Sequence, residues 1–198
     1  MTNTAQAPML DRRAVVKRLL AAAPDALVVT GLGSSAYDVF AAGDRPENFY
    51  LWGAMGGAAA IGLGPALAQS SRSVLVITGD GEQLMGIGAL ATIGAQQPAN
   101  LSVVVLDNGH FAETGMQASH TRLGTNLIEV ARACGISRCE AVTSLDAVDQ
   151  LATLVNARDG CLFARVPIAA DDVPRALPPR DGTFLKNRLR GVLKLTPF

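Results

Sequence analysis

The chain has 198 residues, of which 49% are hydrophobic and 17% are charged. This length and composition are typical of one compact domain with a sizeable core. Seventeen Lys and Arg residues balance seventeen Asp and Glu residues. No net charge therefore attracts nucleic acid or an anionic membrane, and we expect neither as a partner.

Short apolar runs alternate with longer helical patterns along the chain. In chain order they predict helix 11–22, strand 26–30, helix 34–41, strand 49–52, helix 55–69, strand 73–78, helix 82–96, strand 101–106, helix 126–134, strand 136–140, helix 145–157 and strand 161–166. The alternation predicts an α/β fold, a single three-layer domain with a mainly parallel sheet covered by helices on both faces. Such sheets bind ligands beyond the carboxyl ends of their strands.

The pattern divides the chain into three parts: a flexible tail at 1–9, a domain at 10–170 and an extension at 171–198. The tail lacks the basic and apolar regions of a secretion signal. The extension contains a proline cluster and the basic amphipathic stretch FLKNRLRGVLKL. We expect this stretch to pack on its own domain or on a partner subunit, with membrane association as the alternative.

Three cysteines, Cys134, Cys139 and Cys161, have no CxxC or Cys/His spacing. They predict reduced, buried thiols in a cytoplasmic protein, with a redox or metal role as the alternative.

The stretch LVVTGLGSSA follows a predicted strand and matches the GxGxxA form of a dinucleotide-binding turn. A nicotinamide or flavin site of that type also needs an acidic residue at the end of the next strand. The next strand, in FYLWGAMG, ends without one. The turn is therefore interpreted as a tight connection that binds some phosphate, and a dinucleotide-dependent dehydrogenase remains an alternative.

A second glycine-rich turn places Asp80 between Gly79 and Gly81, at the end of a predicted buried strand. After Gly81, 26 residues lead to Asn108 in LSVVVLDNGHF, which is enough for one helix and the next strand. Asp80 and Asn108 should thus meet at the ends of adjacent parallel strands. Their oxygens suit Mg²⁺, which is usually shared with substrate phosphates, and the turn lets a diphosphate approach the backbone.

The spaced GDG and Asn108 resemble the cofactor motif of thiamine diphosphate-dependent enzymes. DRPENFYLWGAMGGAAAIGLGPALA resembles the segment of those enzymes that contacts the pyrimidine ring. More narrowly, DRPENFY, GAMG and LDNGHF followed by TG resemble sulfopyruvate and phosphonopyruvate decarboxylases, over about residues 10–170.

The resemblance implies that thiamine diphosphate and Mg²⁺ are the cofactors and assigns roles residue by residue. Asp80, Asn108 and the backbone carbonyl of His110 would be the metal ligands. The cofactor-binding residues would be Gly53, Ala54, Met55, Gly79, Asp80, Gly81, Glu82, Asn108 and His110. Within this set, the Gly53 carbonyl would accept from the cofactor's amino group, and Met55 would bend the cofactor. The family often has Ser where this chain has Glu82, so the charge of Glu82 should point away from the diphosphate.

The resemblance also implies a partner. In such enzymes a second domain supplies the glutamate that activates the pyrimidine ring, and this chain has length for one domain only. We therefore expect an inactive chain that needs an α-type subunit carrying the pyrimidine-binding domain, in a hetero-oligomer. The implied activity is decarboxylation of a small 2-oxoacid. The alternatives are a carboligase, an oxidoreductase subunit and a non-catalytic cofactor-binding subunit.

The loop GHFAETGMQASHTRLG is the expected substrate wall, because long connections at this edge carry function. Glu113 and His120 are candidates for proton transfer, and Arg122 for holding a substrate anion. The related decarboxylases often have a Ser-Arg-Glu run where this chain has Ala36-Tyr37-Asp38. That departure removes a basic residue and weakens the case for a doubly anionic substrate.

Overall fold

A computed structural model describes residues 9–196, so almost all of the expected tail lies outside the described residues. The strands are β1 (Leu27–Thr30), β2 (Asn48–Tyr50), β3 (Val74–Gly79), β4 (Leu101–Asp107), β5 (His110–Phe111), β6 (Gln117–Ala118), β7 (Arg138–Ala141) and β8 (Leu162–Pro167). The helices are α1 (Arg12–Ala22), α2 (Ser34–Ala41), α3 (Ala58–Ala68), α4 (Asp80–Met85), α5 (Ala89–Gln96), α6 (Leu127–Ala133), α7 (Leu145–Ala157) and α8 (Gly182–Val192).

Six parallel strands form one sheet in the order β2-β1-β3-β4-β8-β7. One buried cluster joins α1, α2 and α7 to one face of the sheet, and a second joins α3, α5 and α6 to the other. The central strands are buried on both faces, which explains their unbroken apolar runs. The predicted three-layer α/β fold is confirmed.

Two predicted helices differ from the structure beside the sheet edge. The predicted helix 82–96 is broken into α4 and α5 around Gly86 and Gly88. At Gly86 a Cβ atom would lie 1.9 Å from the carbonyl oxygen of Gly56, so the break lets the two backbones approach. The predicted helix 55–69 begins only at Ala58. Consequently Gly53, Ala54 and Met55 lie in an irregular connection rather than in a helix.

The C-terminal extension contacts its own domain. The Trp52 indole N–H donates to the Pro179 carbonyl oxygen at 2.8 Å. In α8, Leu185 is buried in the core and Arg188 forms a salt bridge of 2.7 Å with Asp44. This contact accounts for the apolar face of the predicted amphipathic stretch. No helix within residues 9–196 is long and apolar enough to cross a membrane.

Two glycines of α3 provide a matched test of the packing between α3 and β3. A Cβ atom at buried Gly62 would lie 2.2 Å from the Val76 side chain, whereas at exposed Gly64 it would meet nothing within 4 Å. We expect Gly62→Ala to lower the free energy of unfolding by about 1–3 kcal/mol through overpacking. Gly64→Ala should lower it less, because the added methyl group is exposed and crowds only the ring of the neighbouring Pro65. Urea denaturation measures both, and equal shifts of one sign would contradict the packing.

Candidate active site

The carboxyl ends of β3 and β4 bring the predicted metal-binding residues together. The two strands pair in parallel with Gly79 opposite Leu106. Asp80 therefore begins α4 beside Asp107, the last residue of β4, and Asn108, which follows it. The side chains of Asp80 and Asp107 are both almost fully buried.

One oxygen of the Asp80 carboxylate is held by two hydroxyl groups of the loop after β4. Ser119 donates to Asp80 Oδ2, and Thr121 Oγ1 lies 3.3 Å from the same oxygen. Burial raises the pKa of Asp80, the Ser119 hydrogen bond opposes this, and the neighbouring charge of Asp107 raises it further. Asp80 forms no salt bridge within the described part of the chain.

Asp107, the carboxylate next to Asp80, does have a positively charged partner. Arg165 in β8 lies 2.5 Å from Asp107 Oδ2. Asp107 Oδ1 accepts from Thr121 Oγ1 at 2.8 Å and from the Gly109 N–H at 2.9 Å. Thr121 thus bridges the two acids, and Asp80 is the one that lacks a positive partner. The buried, uncompensated charge of Asp80 fits a bound metal ion.

The turn after β4 orders the two remaining predicted ligands. Asn108 Oδ1 accepts from the His110 N–H at 2.9 Å. The imidazole of His110 lies 2.7 Å from the Asn108 carbonyl oxygen through Nδ1 and 3.1 Å from Arg122 through Nε2. A carbonyl can only accept and a guanidinium can only donate, so Nδ1 carries the proton. The side chain of His110 is therefore occupied, and its carbonyl is the group available to a metal.

Within residues 9–196, no group of three His, Cys, Asp or Glu side chains could hold a metal. The predicted ligand set contains only one such side chain, because its other oxygens come from an amide and from the backbone.

The carboxylate of Glu82 is directed toward the end of β3 and the turn after β1. Its Oε2 accepts from Thr78 Oγ1 at 2.8 Å and from the Leu32 N–H at 3.1 Å. Burial raises the pKa of Glu82, and the Thr78 and Leu32 hydrogen bonds oppose this. Glu82 therefore connects α4 to the end of β3 and to the turn after β1.

The same contact explains part of the first glycine-rich turn. A Cβ atom at Gly31 would lie 1.7 Å from Glu82 Oε2, so this position must be glycine for the carboxylate to fit. The turn is built to receive a protein side chain as well as to face the cleft.

A cleft of about 70 Å³ runs along this edge of the sheet. Among its lining residues are Leu32, Ser34, Met55, Gly79, Asp80, Gly81, Glu82, Asn108, His110 and Glu113. Gly53 and Ala54 lie next to Met55 and are exposed. At Gly33 a Cβ atom would lie 2.3 Å from the Glu113 carboxylate, which places that side chain over the first turn. The predicted metal-binding and cofactor-binding segments thus border one cleft.

The other two candidate catalytic residues lie outside the cleft lining. His120 is exposed and packs edge-on against the Phe111 ring, with 5.9 Å between ring centroids. Arg122 is exposed and contacts His110. Of the three candidates, only Glu113 lines the cleft. The roles assigned to all three stay predictions.

This geometry agrees with comparisons to known proteins. Residues 32–165 match the family model described as "Thiamine pyrophosphate enzyme, C-terminal TPP binding domain". The chain belongs to this family. The matched region contains the first turn, Asp80, Asn108 and the loop after β4, and thiamine diphosphate is the cofactor that the family binds.

Two similar proteins are both described as decarboxylases. A phosphonopyruvate decarboxylase of Streptomyces viridochromogenes is 47% identical over 159 residues, which cover 79% of this chain and 39% of that protein. The sulfopyruvate decarboxylase subunit beta of Methanothermobacter thermautotrophicus is 38% identical over 168 residues, which cover 84% of this chain and 87% of the relative. The chain thus spans well under half of the first relative and most of the second.

The fold likeness extends to a solved structure. A thiamine diphosphate-dependent 4-hydroxybenzoylformate decarboxylase of Rhodococcus jostii superposes with a TM-score of 0.69 at 21% identity, over 87% of this chain and 35% of that one. At this identity the likeness concerns the fold alone.

Sequence reasoning missed the residues that surround Asp80. Ser119, Thr121, Asp107 and Arg165 are scattered over β4, the following loop and β8, and no spacing rule connects them. The one available signal was Asp107 itself, a charged residue at the end of an otherwise apolar strand.

The structure predicts that Glu82→Ala destabilises the contact of α4 with β3 and with the turn after β1. The substitution leaves the Thr78 hydroxyl and the Leu32 N–H buried without an acceptor, so we expect a loss of about 2–3 kcal/mol in the free energy of unfolding. Urea denaturation measures this loss, and hydrogen exchange at Leu32 should accelerate. As a control, Glu113→Ala removes an exposed carboxylate without a hydrogen bond and should change stability by less than about 0.5 kcal/mol. Similar losses for both variants would contradict the role of Glu82.

Proposed function

We propose that this chain is the diphosphate- and Mg²⁺-binding subunit of a thiamine diphosphate-dependent 2-oxoacid decarboxylase, a lyase of the sulfopyruvate or phosphonopyruvate type. The observation that carries the proposal is the environment of Asp80. This carboxylate is buried at the carboxyl edge of the sheet, is held through one oxygen by hydroxyl groups, and has no positive partner among the described residues.

The metal ligands in this proposal are the Asp80 carboxylate, the Asn108 side-chain oxygen and the His110 carbonyl. All three are hard oxygen donors, which Mg²⁺ prefers, and too few to fill its octahedral shell. The remaining positions suit diphosphate oxygens and water. Ser119 and Thr121 would orient the Asp80 carboxylate through its Oδ2 oxygen.

The cofactor would lie across the cleft. Gly79, Gly81 and the Glu82 N–H would face the diphosphate, and the Gly53 carbonyl with Ala54 and Met55 would face the pyrimidine end. Exposure of Gly53 and Ala54 supports a site that is closed by another surface. When bound, thiamine diphosphate supplies the electron sink for the pair released as CO₂ leaves the 2-oxoacid.

The chain's own residues would then orient the substrate, exclude water and move a proton. Glu113 is the leading candidate for proton transfer, because it borders the cleft beside Gly33. His120 and Arg122 belong to the same loop and would act at the substrate only where an assembled complex brings them to it.

A second polypeptide completes the site in this proposal. It would be an α-type subunit carrying the pyrimidine-binding domain and the activating glutamate. The relative that this chain covers most fully is itself described as a subunit beta. We further propose that the hetero-oligomer works in the cytoplasm, since all three cysteines are free thiols.

Calorimetric titration of thiamine diphosphate with Mg²⁺ tests the ligand set. We expect Asp80→Ala to abolish Mg²⁺-dependent binding and Ser119→Ala to weaken metal affinity about 10- to 100-fold, as loss of an orienting contact does. His110→Ala should retain binding, because its ligand is a backbone carbonyl, whereas Asn108→Ala should not. Binding lost in His110→Ala but kept in Asn108→Ala would show that the ligand assignment is wrong.

Reconstitution tests the activity. The purified chain and a candidate α subunit, separately and mixed, are assayed for CO₂ release from pyruvate, sulfopyruvate and phosphonopyruvate. We expect turnover only in the mixture that also contains thiamine diphosphate and Mg²⁺. Turnover by the chain alone would refute the split site, and Mg²⁺-independent cofactor binding would refute the metal role of Asp80.

A further inference from the structure

Arg12 is a buried cation at the cleft that none of the roles above uses. It is the first residue of α1, yet only 7% of its surface is exposed. No described residue accepts a hydrogen bond from its guanidinium group. The start of a helix also disfavours positive charge, because the helix dipole is positive there. A buried guanidinium whose one carboxylate contact is not aligned as a hydrogen bond retains donors for an anionic ligand.

One carboxylate holds this cation in place but does not neutralise its surroundings. Asp38 in α2 has a fully buried side chain, and its oxygens lie 3.2 Å from Arg12 Nε and 3.3 Å from Arg13 Nε. Two guanidinium groups thus share one negative charge. Arg13 is 31% exposed and donates to the Pro174 carbonyl, so water and that carbonyl satisfy it. The surplus positive charge that remains in a dry environment is that of Arg12.

Arg12 borders two cavities. One is the cleft of the proposed cofactor site, and the other, about 280 Å³, is lined by Ser34, Tyr37, Asn108 and Glu113 on the cleft side and by the 170–175 segment on the opposite side. Gly79 and Gly81 do not line the second cavity. This cavity therefore lies beside the proposed metal site and does not overlap the turn at Asp80. Its volume suits a small organic acid.

Carboxylates also face this second cavity, and burial decides between them and Arg12. Glu113, Asp171 and Asp172 are exposed, and so is the second cation of the lining, Arg175, so water screens all four charges. Arg12 is the buried charge of this lining, and a charge interacts more strongly away from water. An anion that enters the cavity therefore gains most by reaching Arg12.

We propose that Arg12 binds the anionic head group that the substrate keeps through the reaction, a sulfonate or a phosphonate. This inference rests on the proposed decarboxylase function. A cation held against the departing carboxylate would stabilise the ground state and oppose the loss of CO₂. A cation on the retained group positions the substrate without that cost.

Anion binding to the chain tests the proposal without turnover. Sulfoacetate, an unreactive dianion, is titrated calorimetrically into the chain alone and into the complex with its α subunit. We expect Arg12→Met to weaken binding about 10- to 100-fold through the loss of charge-assisted hydrogen bonds. Arg12→Lys should lie between this variant and the wild type. Arg13→Met is the matched control, because it removes a guanidinium from the same carboxylate but not from either cavity, and should bind sulfoacetate normally.

Folding and cofactor binding are followed separately. If Arg12→Met unfolds because Asp38 loses one of its two cations, the double variant Arg12→Met/Asp38→Asn removes both charges and takes its place. Absence of sulfoacetate binding in the wild-type chain and in the complex, or equal binding in Arg12→Met, would overturn the inference. A loss of thiamine diphosphate affinity in Arg12→Met with sulfoacetate binding intact would assign Arg12 to the diphosphate and also overturn it.

Failure of the proposed function has a different signature, since no cofactor then binds to the wild-type chain whatever residue occupies position 12. In an active complex, Arg12→Met should raise KM for sulfopyruvate about tenfold or more and leave KM for pyruvate unchanged, because pyruvate lacks the distal anion.

Discussion

The parallel pairing of β3 with β4 places two carboxylates, Asp80 and Asp107, side by side at a buried edge. Two like charges in such surroundings repel each other, and each requires a positive partner. Arg165 provides one for Asp107 from the next strand of the sheet. For Asp80 the proposed partner is Mg²⁺. Thr121 contacts both Asp80 and Asp107, so the proposed metal site and the Arg165–Asp107 ion pair belong to one network.

One side of the cleft is held by buried hydrogen bonds, and the other side is exposed to solvent. Glu82 joins α4 to the first turn and to the end of β3, so their relative positions depend on one buried carboxylate. On the opposite side, Gly53 and Ala54 are exposed. Such a site is well suited to be completed by a second polypeptide. The second surface can add groups to the site without changing the positions of the groups that this chain already holds.

Burial, rather than the number of charged residues, determines the electrostatics of the cleft. The chain is neutral overall, and the loop and the C-terminal segment contribute exposed carboxylates whose effect is screened. Arg12 and Asp80 are two buried, incompletely compensated charges that line this cleft, one positive and one negative. An anionic substrate and a diphosphate with its metal would match these two charges.

Local patterns in the sequence determined the order of helices and strands, the α/β class and the approach of Asp80 to Asn108, because apolar periodicity and the rules of parallel sheets are local or nearly so. Tertiary structure alone decided the break between α4 and α5, the contacts of Ser119 with Asp80, and the burial of Arg12. These features depend on side chains that are distant in sequence and meet only after the sheet has formed. The spacing of apolar residues predicts where strands end. The packing of neighbouring elements decides which side chains form hydrogen bonds or ion pairs at those ends.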